Sequence, residues 1–127
     1  MSYRASLRIA LMMAGSLVSV LSMRCRAAAP DLERGALLFQ TCAACHSVLG
    51  DGVGPDIRGI YGKKAAARAG FNYSAALKGS AIVWDEGNLR AFVKDPQALV
   101  KGTAMTFPGY QAQSDIDAVI AYLKTLK

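Results

Sequence analysis

Histidine, tryptophan, acid near one end and long apolar runs are what this 127-residue chain has least of. His46 is the only histidine, Trp84 the only tryptophan, and cysteine occurs three times. Residues 1–29 contain four arginines and no acid, so +4 of the formal +6 lies there and the other 98 residues carry +2. A basic pI of about 9.5 is therefore no nucleic-acid footprint. The main apolar run, Ile9 to Leu21, spans only 13 residues. As a helix it reaches about 20 Å against roughly 30 Å of bilayer hydrocarbon. No strand-like alternation, no internal repeat and no phosphate-binding glycine motif can be fitted. An apolar content of 53% excludes disorder, and the length excludes two domains.

What is present begins with the leader. Arg4 and Arg8, the apolar run and the small residues Ala27 to Ala29 read as a secretory signal peptide over residues 1–29. Arg24 and Arg26 after the run, and Pro30 beside the cut, resist that reading. The lack of acids with abundant serine and arginine also suits an organellar transit peptide, and an uncleaved anchor is a third reading that the run's length disfavours. Residues 30–127 form the remaining domain.

That domain holds two cysteines, one histidine and one methionine, and three of the four lie in Cys42-Ala43-Ala44-Cys45-His46. A structural zinc site needs about four N or S ligands and finds only three here. A thioredoxin-like pair would need a βαβ context that is missing. A Cys-His nucleophile would leave one cysteine without a purpose. C-x-x-C-H instead suits covalent attachment of one c-type haem. Residues three apart on a helical turn face one side, so both thiols reach the vinyl groups of one porphyrin, and the next residue brings an imidazole to the iron.

Periodicity predicts helices around this motif. Asp31 caps a first helix with Leu32, Gly35, Ala36 and Phe39 on one stripe, where the glycine permits close approach of another helix. The partner is a C-terminal helix capped by Ser114, with Asp117 favouring its N-terminus and Ile116, Val119, Ile120 and Leu123 as its apolar face. Ser74 starts a short helix to Gly79, Asp85 starts one ending at Asp95, and Pro96 to Val100 form a further turn. Residues 47–72 lack a period and hold six glycines. A loop that long is explained by packing on a cofactor. The fold class is all-α, wound round a haem.

Met105 is the only methionine of the domain and sits in a loop bounded by Gly102 and by Pro108-Gly109. Its uniqueness and loop placement outweigh the usual role of methionine as core filler and make it the sixth iron ligand. His/Met ligation raises the reduction potential of haem, and it closes the iron to added ligands.

From Asp31 to Lys127 the chain resembles class I c-type cytochromes of the cytochrome c2 and mitochondrial cytochrome c kind. The resemblance rests on the attachment motif, Gly54-Pro55, Gly70-Phe71-Asn72-Tyr73-Ser74, Trp84, Gly102-Thr103-x-Met105 and Ala121-Tyr122-Leu123. It implies that the Pro55 carbonyl accepts from the His46 ring. It further implies that Tyr73 and Trp84 donate to one haem propionate and Thr103 to the other, and that Gly35 and Phe39 meet Tyr122 and Leu123 where the terminal helices cross. Lys63, Phe92 and Leu77 stand where relatives carry arginine, tyrosine and asparagine, and Ala104 where they often carry lysine. With fewer polar groups beside the sulfur, the haem is drier. The Met105–iron bond is then expected to resist alkali at least as well as in those relatives, in a side-by-side pH titration.

The implied function is one-electron transfer rather than enzymatic turnover: a monomeric shuttle between redox proteins such as a membrane cytochrome complex, an oxidase, a reductase or a dehydrogenase of a respiratory chain. A dedicated subunit of one enzyme fits the same residues. A gas sensor or peroxidase fits less well, because the lone histidine leaves no distal acid–base group. No nucleic acid is implied, and a membrane only if the leader stays uncleaved. The expected location is the periplasm, with the mitochondrial intermembrane space or a periplasm-facing tether as alternatives. Lys63, Lys64, Lys78, Arg90, Lys94 and Lys101 are candidates for steering partners.

Overall fold

The computed structural model describes residues 29–47, 49–50 and 52–127. The leader reading lies, but for Ala29, outside the described residues. Five helices follow in order: α1 (Leu32–Ala43), α2 (Ala75–Gly79), α3 (Glu86–Lys94), α4 (Pro96–Leu99) and α5 (Gln113–Leu123). Among the described residues the only β pairing is an isolated bridge between Lys64 and Val83.

Short polar side chains start four of these helices. Asp31, Ser74, Asp85 and Asp95 each accept a hydrogen bond from the backbone N–H three residues on. That satisfies one orphan donor of each first turn and is worth about 1 kcal/mol per cap. Pro96 opens α4, where a missing N–H costs nothing.

The C-terminal helix departs from expectation. It starts at Gln113, its N-cap is Ala112 and no side chain caps it, so Ser114 lies inside the first turn. The Asp115 and Ile116 N–H groups both bond the Ala112 carbonyl, which sets the start there. Asp115, in that turn, is taken up by a bridge to Arg34 at 2.5 Å, tying α5 to α1. Asp117 bonds the Arg90 guanidinium and the Gln113 amide.

Helices α1 and α5 cross at Gly35. A side-chain carbon there would lie 2.3 Å from the Ala118 carbonyl oxygen and 2.8 Å from Tyr122 Cβ, so glycine alone admits this approach. Phe39, one turn on, sets its ring 5.4 Å from that of Tyr122. Leu32, expected on the buried stripe, is 49% exposed because it lies a turn outside the crossing. Behind the crossing, Ile116, Val119, Ile120 and Leu123 join Trp84, Leu89, Phe92 and Val100 in one core. Each such side chain contributes roughly 1.5–3 kcal/mol on burial.

An ion-pair cluster fastens α3 to α5. Glu86 receives Arg90 at 2.8 Å and Lys124 at 2.5 Å, and Arg90 reaches on to Asp117. Lys124 holds the Glu86 carboxyl below its ordinary value, with Arg90 adding to the effect, and Arg90 does the same for Asp117. Such depressed carboxyls take up protons more readily in the unfolded chain. Their contribution is present above the usual carboxylate range and is lost as pH falls through the lower folded values. Urea midpoints of the haem-loaded protein should therefore fall from about pH 5 to about pH 3, and fall less steeply in Glu86→Gln. Midpoints with the same slope in both proteins would refute the assignment.

Candidate functional site

Alongside the core lies a cavity of about 860 Å3, within the roughly 300–1,000 Å3 of cofactor sites. Core side chains Phe39, Leu89, Phe92, Val119, Ile120 and Leu123 form part of its wall. It is thus a gap in the core itself, of the kind a bound group completes.

The attachment pentapeptide continues the helical path of α1. Cys42 is in the last turn, Ala44 keeps right-handed helical angles, and the Cys45 and His46 N–H groups both bond the Cys42 carbonyl at 3.1 and 2.8 Å. Both cysteines and His46 line the cavity, Cys42 half-buried and Cys45 exposed. Burial pushes the Cys42 thiol above its ordinary value.

His46 is held from below. Its Nδ1 lies 2.7 Å from the Pro55 carbonyl oxygen. A carbonyl can only accept, so Nδ1 carries the proton, and in the neutral ring Nε2 keeps its lone pair for a metal. Gly54 makes room: a side-chain carbon there would fall 2.5 Å from His46 Cε1.

The second ligand candidate comes from another segment. Met105, partly buried, lines the cavity on the loop after α4, with its N–H 3.4 Å from the hydroxyl of buried Thr103. Tyr73, Trp84 and Thr103 line the same cavity. Trp84 is 4% exposed and packs on Phe92 at 4.8 Å, while Tyr73 meets Phe71 edge-on at the same distance. The structure thus brings all eight site residues to one cavity, Pro55 included. Lys63, Leu77 and Phe92, the departures from relatives, line it too.

The long loop supplies charge. Arg58, Lys63, Lys64 and Arg68 line the cavity with Asp56, a basic excess suited to two carboxylates on one ligand. Asp56 accepts from the Arg58 backbone at 2.9 Å and from its guanidinium at 2.6 Å, and these bonds hold its carboxyl below the ordinary value. Arg90 is not among the lining residues. Its pairing with Glu86 and Asp117 makes it part of the α3–α5 fastening instead of a steering charge.

Three contributors were not anticipated from sequence. The Asp56–Arg58 pair had a local signal in its spacing, an Asx turn. Tyr110 had none: its phenol donates to the Leu38 carbonyl at 2.8 Å, and burial pushes its pKa above the ordinary value, which disfavours the phenolate. Gln97 had none either, and its bonds to the Met105 loop depend on how that loop folds back.

Paired thiols, an imidazole with its lone pair free and a basic wall all suit a covalently held haem with two propionates. Among the described residues no helix is long and apolar enough to cross a membrane. The cytochrome c family model matches residues 32–127. Cytochrome c2 of Rhodoplanes tepidamans is 43% identical over 97 residues, covering 73% of this chain and 90% of that protein. Cytochrome c2 of Rhodoblastus acidophilus is 41% identical, with 78% and 95% covered. In solved structures, cytochrome cH from Methylobacterium extorquens superposes with a TM-score of 0.72 at 42% identity, over 75% of this chain and 98% of its own. Match and superposition both run through the domain that builds the cavity, so this chain belongs to the cytochrome c family and is a mono-haem c-type electron-transfer protein with redox-protein partners.

Proposed function

We propose that residues 30–127 carry haem c through thioethers at Cys42 and Cys45, with His46 and Met105 as axial ligands, and shuttle single electrons between respiratory or dehydrogenase partners in the periplasm. The observation that carries the reading is the His46–Pro55 bond, which orients the ring and leaves Nε2 as the free donor beside both thiols. When bound, the haem supplies a one-electron iron couple. The protein's own tasks are then specific. His46, held by Pro55, and Met105, held on its loop, would hold the iron between them and so limit rearrangement when the electron moves. Phe92, Leu77 and the core keep water from the sulfur. Arg58, Lys63, Lys64 and Arg68 offset the propionates, and Tyr73, Trp84 and Thr103 are the donors to them. Residues 1–29 act as the leader that sends the chain across a membrane, and the family match starting at residue 32 supports that boundary.

Exposed side chains lining the cavity near the thiols and Met105 are uncharged: Thr41, Val53, Ala104, Thr106 and Pro108. A monomer with such a face has little to steer charged partners, in keeping with +2 over the domain. Oxidation of the reduced protein by a purified cytochrome oxidase tests this. Raising ionic strength from about 0.01 to 0.15 M shrinks the Debye length from about 30 to 8 Å, and the second-order rate should change less than about threefold. A fall of tenfold or more would contradict weak steering, and failure to exchange electrons at any ionic strength would contradict the shuttle itself.

A further inference from the structure

We infer that Gln97 is a positioning residue for Met105: its amide holds the ligand loop in the form that presents the sulfur. The inference rests on the axial assignment of Met105 above.

Gln97 lies on α4, whose footing is rigid. Pro96 beside it is fully buried, and the Asp95 carboxylate caps the turn by accepting from the Ala98 N–H at 3.0 Å. From there one side chain reaches three backbone groups of the loop. Its Oε1 accepts from Gly102 N–H at 3.1 Å, and its Nε2 donates to the carbonyls of Thr103 at 2.8 Å and Met105 at 3.2 Å. Only a primary amide on a two-carbon stem offers an acceptor and two donors at that reach. The loop returns to the same footing, because Tyr110 N–H bonds the Val93 carbonyl at 2.9 Å and Gly109 lies directly against the Lys94 carbonyl. Both ends are thus anchored at the α3–α4 junction, and Gln97 bridges the interval. Without it the Thr103 and Met105 carbonyls turn to water, and among the described residues Met105 keeps its packing against the core and one long hydrogen bond, from its N–H to the Thr103 hydroxyl. Gln97 is itself exposed, so its removal opens no core cavity.

The test compares haem-loaded wild type with Gln97→Met, which keeps length and packing, and Gln97→Glu, which keeps the acceptor and loses both donors. Imidazole added to the ferric protein competes with Met105 for the iron, and its apparent affinity reads the ease of loop opening. Each lost hydrogen bond is worth a factor of roughly 2–12, so imidazole should bind Gln97→Met at least tenfold more tightly, with Gln97→Glu also above wild type. Urea unfolding by far-ultraviolet circular dichroism should shift by much less, and Gln40→Met on exposed α1 surface should match wild type in both assays. Imidazole affinity within twofold of wild type overturns the proposal. So does an increase matched by an equal loss of global stability, which marks a merely structural role. A wild-type ferric protein lacking the methionine-to-iron charge-transfer band sinks the axial assignment first, and the proposal with it.

Discussion

Met105→Ala is expected to convert a closed iron into an open one without releasing the haem. The thioethers to Cys42 and Cys45 hold the group whatever occupies the sixth position, so the variant should mature and fold. Among the described residues no other soft side chain lines the cavity once the two cysteines and His46 are used. Water or hydroxide would take the vacant position. Axial ligands control haem potentials over about 0.8 V, and loss of the thioether should lower the midpoint by something on the order of 0.2 V. The ferrous variant should bind carbon monoxide readily. Side-by-side potentiometric titration and carbon monoxide binding check both effects. An unchanged midpoint would mean that Met105 packs beside the haem as ordinary core.

The second large effect is on stability. Gly35→Ala adds one methyl group where the nearest atoms are the Ala118 carbonyl oxygen at 2.3 Å and Tyr122 Cβ at 2.8 Å. Two opposing terms decide the sign. Alanine in a helix interior gains up to about 1 kcal/mol over glycine. Overpacking costs typically 1–3 kcal/mol and more when the obstacle cannot move aside. A backbone oxygen of α5 cannot turn away as a side chain can, so the helices must separate and the Phe39–Tyr122 contact loosens. A net loss of about 2 kcal/mol should lower Tm by roughly 10 °C for a domain of this size. Thermal unfolding of the haem-loaded protein measures it. A rise in Tm would mean that helix propensity wins and the crossing has slack.

How much of this could be read beforehand depended on whether the signal was local. The attachment pentapeptide is a covalent requirement written in five consecutive residues, and it needed no folded context. The caps at Asp31, Ser74 and Asp85 were equally local, whereas Asp95 was read only as the end of α3 and proved to cap α4 as well. Ser114 misled because its residue type suggests a cap, whereas the backbone bonds to Ala112 place the start of α5 two residues earlier. Arg90 looked like a free surface charge because Asp117, on another helix, reaches it only through packing, although Glu86 stood one turn away at i−4. Leu32 fitted the apolar stripe, but a stripe does not say where the partner helix ends. Gln97 and Tyr110 were out of reach for the same reason: their bonds run to backbone groups of a loop and of α1 that share no pattern with them.

The proposed function stands on an iron closed between His46 and Met105. The visible spectrum of the reduced wild-type protein, produced in a host that matures c-type haem and recorded before and after carbon monoxide, tests that most directly. Closed ligation predicts a sharp low-spin spectrum that the gas leaves unchanged. A high-spin spectrum, or one that carbon monoxide shifts at once, would show an open sixth position and contradict the electron-shuttle account in favour of a ligand-binding haem protein.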